Sequence, residues 1–106
     1  MPKYLIAANY TSEGVKGLIK EGASGRRSAI EKLCQSVGAT LEAVHYAFGE
    51  TDLFLIVDAP NPAAMAAVAM TVSASGAATL KTTVLLAPEE VDAAAKLSPA
   101  YRAPGQ

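Results

Sequence analysis

The chain has 106 residues and a mass of 10.9 kDa, which is enough for one folded domain and too little for two. Nine basic and ten acidic side chains give a net charge of -1, so the chain lacks the basic excess from which nucleic-acid binding draws its affinity. No apolar run approaches the roughly 18 residues that a membrane-spanning helix needs. The first residues do not resemble a signal peptide. We therefore expect a cytoplasmic protein with neither a nucleic acid nor a membrane as its partner.

Hydrophobic residues make up 51% of this small chain. A domain of this size buries only about two-thirds of the surface that its unfolded chain exposes. Some apolar surface should therefore remain outside the core, and we expect a homo-oligomer, at least a dimer, to cover it. The single cysteine, Cys34, cannot form an internal disulfide, and its place on the apolar side of a predicted helix makes it a core residue.

The first half of the chain predicts a strand followed by helical structure. Residues 3–10 form a short apolar strand, and a short helix or turn is expected over 13–20. Apolar residues then recur at helical spacing across 24–37, which predicts a longer helix. Gly38 follows at the position where a helix favours a left-handed terminal residue.

The centre of the chain predicts a hairpin of strands 40–48 and 53–58 around a tight turn. Strict alternation along the first strand places Leu41, Ala43, His45 and Ala47 on one face, and Glu42, Val44, Tyr46 and Phe48 on the other. Residues 53–58 are apolar on both faces, which is typical of a central strand that is covered twice. One helix layer covers only one face, so this strand also predicts a partner subunit.

The second half repeats the strand and helix pattern. Asn61 as N-cap and Pro62 at the first helical position begin an Ala-rich helix that ends at Gly76. A fourth strand is expected over 77–87 and a last short helix from Pro88 to about Leu97. The fold class is therefore α+β: a ferredoxin-like βαββαβ domain over 1–97 with a four-stranded antiparallel sheet, an extra C-terminal helix and a flexible tail over 98–106.

His45 and Asp52 are the candidate catalytic residues. A histidine titrates near neutral pH and is the usual general base, while a half-buried histidine bonded within the sheet is the alternative. Asp52 begins the third strand, where a carboxylate can act in acid–base chemistry or simply be a solvated turn residue. A single histidine cannot build a multi-histidine metal site, and no metal ligand set is predicted.

Tyr10, Tyr46 and Lys81 are the candidate ligand-binding residues. Tyrosine rings on strands commonly fill a core edge or an interface and offer a hydroxyl for recognition. Tyr46 lies on the strand face opposite His45, so these two side chains should not share a cavity of one sheet. Lys81 stands between Thr79 and Thr83 on a strand face and could hold a carboxylate, or could simply be exposed.

The segment GETDLFLIVDAP, residues 49–60, resembles the GYD-domain family, and the resemblance extends over roughly residues 3–95. Gly49 and Asp52 match the turn for which the family is named, while Thr51 stands where the family has tyrosine. The family is similar in architecture to dimeric α+β barrel proteins, so the resemblance implies two ferredoxin-like sheets that face one another. It implies no particular activity.

Three functions are compatible with these features. The first, which we favour, is a bacterial oligomeric module that binds a small molecule or associates subunits. The second is a cofactor-free enzyme, isomerase-like or monooxygenase-like, with His45 as its base. The third is a purely structural oligomer without a pocket. Some proteins of the α+β barrel type hold cofactors, so the resemblance leaves haem, flavin and metal binding open, and His45 is the one histidine available as an axial ligand.

Overall fold

The computed structural model describes all 106 residues, and it confirms the α+β, ferredoxin-like arrangement. The elements in chain order are β1 (Lys3–Tyr10), α1 (Ser12–Glu21), α2 (Ala23–Gln35), β2 (Thr40–Tyr46), β3 (Leu53–Asp58), α3 (Pro62–Ala74), β4 (Ala78–Leu85) and α4 (Pro88–Ala95). The segment predicted as a short helix or turn is thus a ten-residue helix, α1. No helix is both long and apolar enough to span a bilayer.

The four strands form one antiparallel sheet in the order β2-β3-β1-β4. The central position predicted for β3 is confirmed, because β3 lies between β2 and β1. The helices cover one side of the sheet, and the core lies between the two layers. Ten of its twelve buried members come from the inner positions of β1 and β3 and from α2 and α3: Tyr4, Ile6, Ala8, Leu53, Leu55, Val57, Ile30, Cys34, Met65 and Val68.

The strict alternation predicted for β2 is wrong at its start. Leu41 pairs with Val57, whereas Ala43 pairs with the next residue of β3, Ile56, so Glu42 is an extra residue in a β-bulge. The bulge places Leu41 on the helix-covered face, against the core, instead of beside Ala43. The Glu42 carboxylate accepts a hydrogen bond from the Lys3 ammonium group, which lies on the other side of the sheet from the core.

Polar groups fix the helix ends as their residue types predict. The Asn61 side chain accepts a hydrogen bond from the Ala64 N–H at 2.9 Å, with Pro62 at the first helical position of α3. The Thr11 hydroxyl caps α1 by accepting from the Gly14 N–H, and it donates to the Gly76 carbonyl at 2.8 Å. The N-terminus of α1 is therefore attached to the connection between α3 and β4.

The C-terminal part of the chain stands away from this body. Every residue from Leu86 to Gln106 is exposed, and α4 contributes nothing to the core. The radius of gyration is 16.9 Å, whereas a compact chain of this length would have about 13 Å. We call residues 86–106 the C-terminal arm.

Gly14 allows the close approach of α1 to the α3–β4 connection, and this contact gives a test of the fold. A Cβ at Gly14 would lie 2.0 Å from the Ala77 carbonyl oxygen, whereas a Cβ at Gly17, one turn later, would meet nothing within 4 Å. We expect Gly14→Ala to lower the free energy of unfolding by about 2 kcal/mol through overpacking. Gly17→Ala should raise it by about 0.5–1 kcal/mol, because alanine favours helix. Urea denaturation of the two variants measures both values, and equal effects would contradict the close approach.

Candidate functional site

A cavity of about 510 Å³ lies between the sheet and the helices. Its floor is the inner face of β1, β3 and β4, and its walls come from α1, α2 and α3. Of the 21 lining residues, 14 are hydrophobic, so the cavity offers apolar contact to most of any occupant. Its size falls within the range of roughly 300–1,000 Å³ that is typical of small-molecule sites.

Tyr10 and Tyr46 lie at one end of the helix-covered face. Tyr10 lines the cavity from the end of β1, and Tyr46 is opposite Leu53 at the end of β2. Both hydroxyl oxygens are buried, and no group of the chain other than the neighbouring phenol is placed to bond either one. Phe48, whose backbone adopts the left-handed conformation with φ 54°, stacks on the Tyr46 ring with centroids 5.8 Å apart. These phenols are the least satisfied polar groups near the cavity.

Burial raises the pKa of Tyr10 well above its ordinary value, and the neighbouring Tyr46 phenol adds to the effect. The charge of Arg26 acts in the opposite direction, which means that the guanidinium lies within electrostatic reach of the Tyr10 hydroxyl. Tyr10 is consequently a protonated hydrogen-bond donor at neutral pH. Arg26 lines the same cavity and contacts Glu21 at 3.5 Å between Nη1 and Oε1.

Cys34 also lines the cavity, from the inner face of α2, and its core position is confirmed. Burial raises the pKa of its thiol, so the thiolate form is disfavoured. The residue therefore contributes an apolar surface and a weak S–H donor.

Asp52 does not line the cavity. Its Oδ2 accepts a hydrogen bond from the Tyr10 N–H at 2.9 Å, and its own N–H donates to the Asn9 side chain at 2.9 Å and to the Ala8 carbonyl at 3.1 Å. The turn before β3 is thereby tied to the end of β1. Asp52 thus positions the strand end that carries Tyr10, a role that the sequence did not indicate.

His45 and Lys81 lie on the opposite side of the sheet, on the face that the helices leave open. Pairing places His45 beside Phe54, Phe54 beside Ala7, and Ala7 beside Lys81, so the four form one row across the sheet. His45 and Lys81 are exposed at the two ends of this row, separated by about 14 Å from strand spacing. The five predicted site residues therefore fall into two groups, and His45 shares no cavity with either tyrosine.

No group of three or more His, Cys, Asp or Glu side chains is arranged to hold a metal ion. Arg26 is a charged cavity residue that the sequence did not place among the predicted site residues, since an arginine at a helix start is compatible with an anion, an acidic partner or simple exposure. Arg26 on α2 and Tyr10 on β1 line the same cavity, which is assembled only when the elements fold together.

The raised pKa of Tyr10 predicts a pH dependence of stability. In the unfolded chain a tyrosine loses its proton near pH 10, whereas folded Tyr10 holds its proton to higher pH. The folded state then binds more protons than the unfolded state, so the free energy of unfolding contributed by Tyr10 falls as the pH rises above about 10. Urea unfolding between about pH 9 and pH 11 should show a shallower decline for Tyr10→Phe than for the unaltered protein. Identical slopes would contradict the burial of this hydroxyl.

The comparisons with known proteins give a family and nothing finer. The family model of the GYD domain matches residues 4–95, which is most of the chain. No curated protein and no solved structure matches the chain. The matched range contains the whole sheet except its first residue, Lys3, and all the residues that line the cavity. The chain belongs to the GYD domain family.

Proposed function

We propose that this GYD-domain protein is a small-molecule-binding module that works as a homo-oligomer. The observation that carries the proposal is the cavity of about 510 Å³ under the helices, with its apolar walls and with Tyr10 among its lining residues. A cavity of this size weakens packing, because the atoms around it lose contacts. An occupant of matching size would restore those contacts. The cavity also counts against a purely structural oligomer without a pocket.

A cavity-filling substitution tests the binding site. Val72 lines the cavity from α3, whereas Met70 on the same helix is exposed outside it. We expect Nile red, a neutral apolar fluorophore, to bind the unaltered protein with increased fluorescence. Val72→Phe should weaken this binding about tenfold or more, because the larger ring occupies the space. Met70→Phe adds a similar ring and should leave it unchanged.

Equal dye binding in the two variants would overturn the assignment of the cavity as the site. Thermal unfolding of each variant, followed by circular dichroism, shows whether Val72→Phe has retained the fold. Native mass spectrometry of the unaltered protein from its own host gives a second readout, since an added small mass would identify the class of the ligand.

The open face of the sheet supports association with a second copy. Its central residues are apolar and only partly buried: Leu5, Ala7, Phe54, Ile56 and Leu85. Phe54, in the centre of the row between His45 and Lys81, is 36% exposed. An apolar sheet face of this kind is stabilised when a second layer packs on it. A second copy of the chain brings the same apolar surface and suits a symmetric contact.

The open face alone is small for a stable interface. Four strands spaced about 4.8 Å apart, with about six residues each at roughly 3.3 Å, cover roughly 400 Å². A standard interface buries about 800 Å² on each partner. The C-terminal arm supplies the additional surface in this proposal, with Val91, Leu97 and Tyr101 exposed along it. A helix as short as α4 gains little stability alone, so contact with the partner would also maintain it.

A charge on the open face should separate the copies. We expect Phe54→Glu to convert the oligomer to a monomer at micromolar concentration, because two copies would bury facing carboxylates. Ile19→Glu is the control, since Ile19 is 78% exposed on α1, on the helix side of the sheet. Sedimentation velocity gives the mass of each species. A monomeric unaltered protein, or an oligomer that persists in Phe54→Glu, would refute association through this face.

The enzyme alternative has less support. It needs His45 as a base next to bound substrate, yet His45 is exposed on the open face. The other predicted catalytic residue, Asp52, uses its carboxylate to accept a hydrogen bond from the Tyr10 N–H. A catalytic role for His45 would require a second cavity, built between the sheets of two copies.

A further inference from the structure

The polar groups of the cavity indicate what kind of ligand it accepts, on the assumption that the proposed binding function is correct. Tyr10 and Tyr46 have buried hydroxyl oxygens without a partner. If one hydroxyl donates to the other, one O–H still lacks an acceptor, because each phenol carries its own proton. A buried donor without an acceptor is unfavourable. The Tyr10 hydroxyl oxygen is closed to solvent in this structure, so a ligand oxygen in the cavity would satisfy this donor after the Tyr10 side chain turns toward it.

Arg26 brings further donors to the same cavity. Its one contact to Glu21, at 3.5 Å, is at the long limit of a hydrogen bond, and a guanidinium has five N–H groups to offer. The other carboxylate in the lining, Glu13, lies 3.6 Å from the Lys16 ammonium group. The two carboxylates at the cavity thus have cationic partners of their own, so neither serves as the acceptor for the Tyr10 hydroxyl.

We infer that the ligand is a bulky, apolar and preferably aromatic molecule that carries an oxygen acceptor, a carbonyl or a carboxylate, which binds the Tyr10 hydroxyl with Arg26 as the second donor. The apolar part packs on the aliphatic walls from Ile30, Leu55 and Val68. The acceptor is directed to the end of the cavity at Tyr10. A pure hydrocarbon would fill the same space and leave the hydroxyl unsatisfied.

Three probes that share one ring system test this inference by displacement of Nile red: ethylnaphthalene, acetonaphthone and naphthoate. Ethylnaphthalene has no acceptor, acetonaphthone has a neutral carbonyl and naphthoate has a carboxylate. We expect acetonaphthone to bind the unaltered protein about tenfold more tightly than ethylnaphthalene, which is the effect of one well-formed hydrogen bond. Equal affinity of the ketone and the hydrocarbon would overturn the inference.

The tyrosine variants locate the donor. Tyr10→Phe should abolish the preference for the ketone while ethylnaphthalene binds as before, which also shows that the variant is folded. Tyr4→Phe is the matched control, because Tyr4 lies on the same face of β1 but does not line the cavity. It should retain the preference. A preference that persists in Tyr10→Phe would contradict the assignment of this hydroxyl.

The adjacent arginines test the second donor. Arg26→Gln should weaken naphthoate about tenfold, whereas Arg27→Gln should not, because Arg27 pairs with Glu31 at 3.3 Å outside the cavity. Glu21→Gln should tighten naphthoate, because it releases Arg26 from its ion pair. Equal effects of the two arginine substitutions would contradict the role of Arg26. Failure of all three probes to bind would instead refute the proposed binding function itself.

Discussion

The structure depends on the two apolar faces of β3. Leu53, Leu55 and Val57 pack under the helices, while Phe54 and Ile56 emerge on the other side. A strand with this pattern is stable only in the middle of a sheet, and β3 pairs with β2 on one side and with β1 on the other. The helix layer covers one face, so the chain retains an apolar surface opposite its own core. The proposed cavity and the proposed association surface are therefore two sides of the same strands.

One extra residue in β2 refines this arrangement. The extra residue at Glu42 shifts the alternation of β2 by one position after Leu41. Leu41, Val44 and Tyr46 therefore all face the helices. A regular strand would have placed Leu41 on the open side. The extra residue instead meets Lys3 at the edge of that side. A local irregularity thus adds a large side chain to the core and a charged pair to the rim of the open face.

The sequence was sufficient to predict what depends on local patterns. Strand β3, the Asn61–Pro62 start of α3 and the left-handed Gly38, with φ 76°, follow from neighbouring residues. Three features could not be predicted, because they arise from residues distant in the chain. They are the contact of Gly14 with Ala77, the hydrogen bond of Asp52 to Tyr10, and the proximity of Tyr10 to Tyr46.

The cavity is hard to recognise in the sequence because it results from small side chains spread over several elements. Ala8 on the floor, Gly14 and Gly17 in α1, and Ala77 and Ala78 at the start of β4 all line it. Each is an ordinary residue in its own element, and only the sheet order brings them together. A protein that keeps small residues at facing positions gives up packing energy. Ligand binding to the folded state would recover stability in proportion to the logarithm of ligand concentration. The small residues that line the cavity, which weaken the packing of the isolated domain, are what the proposed binding function would require.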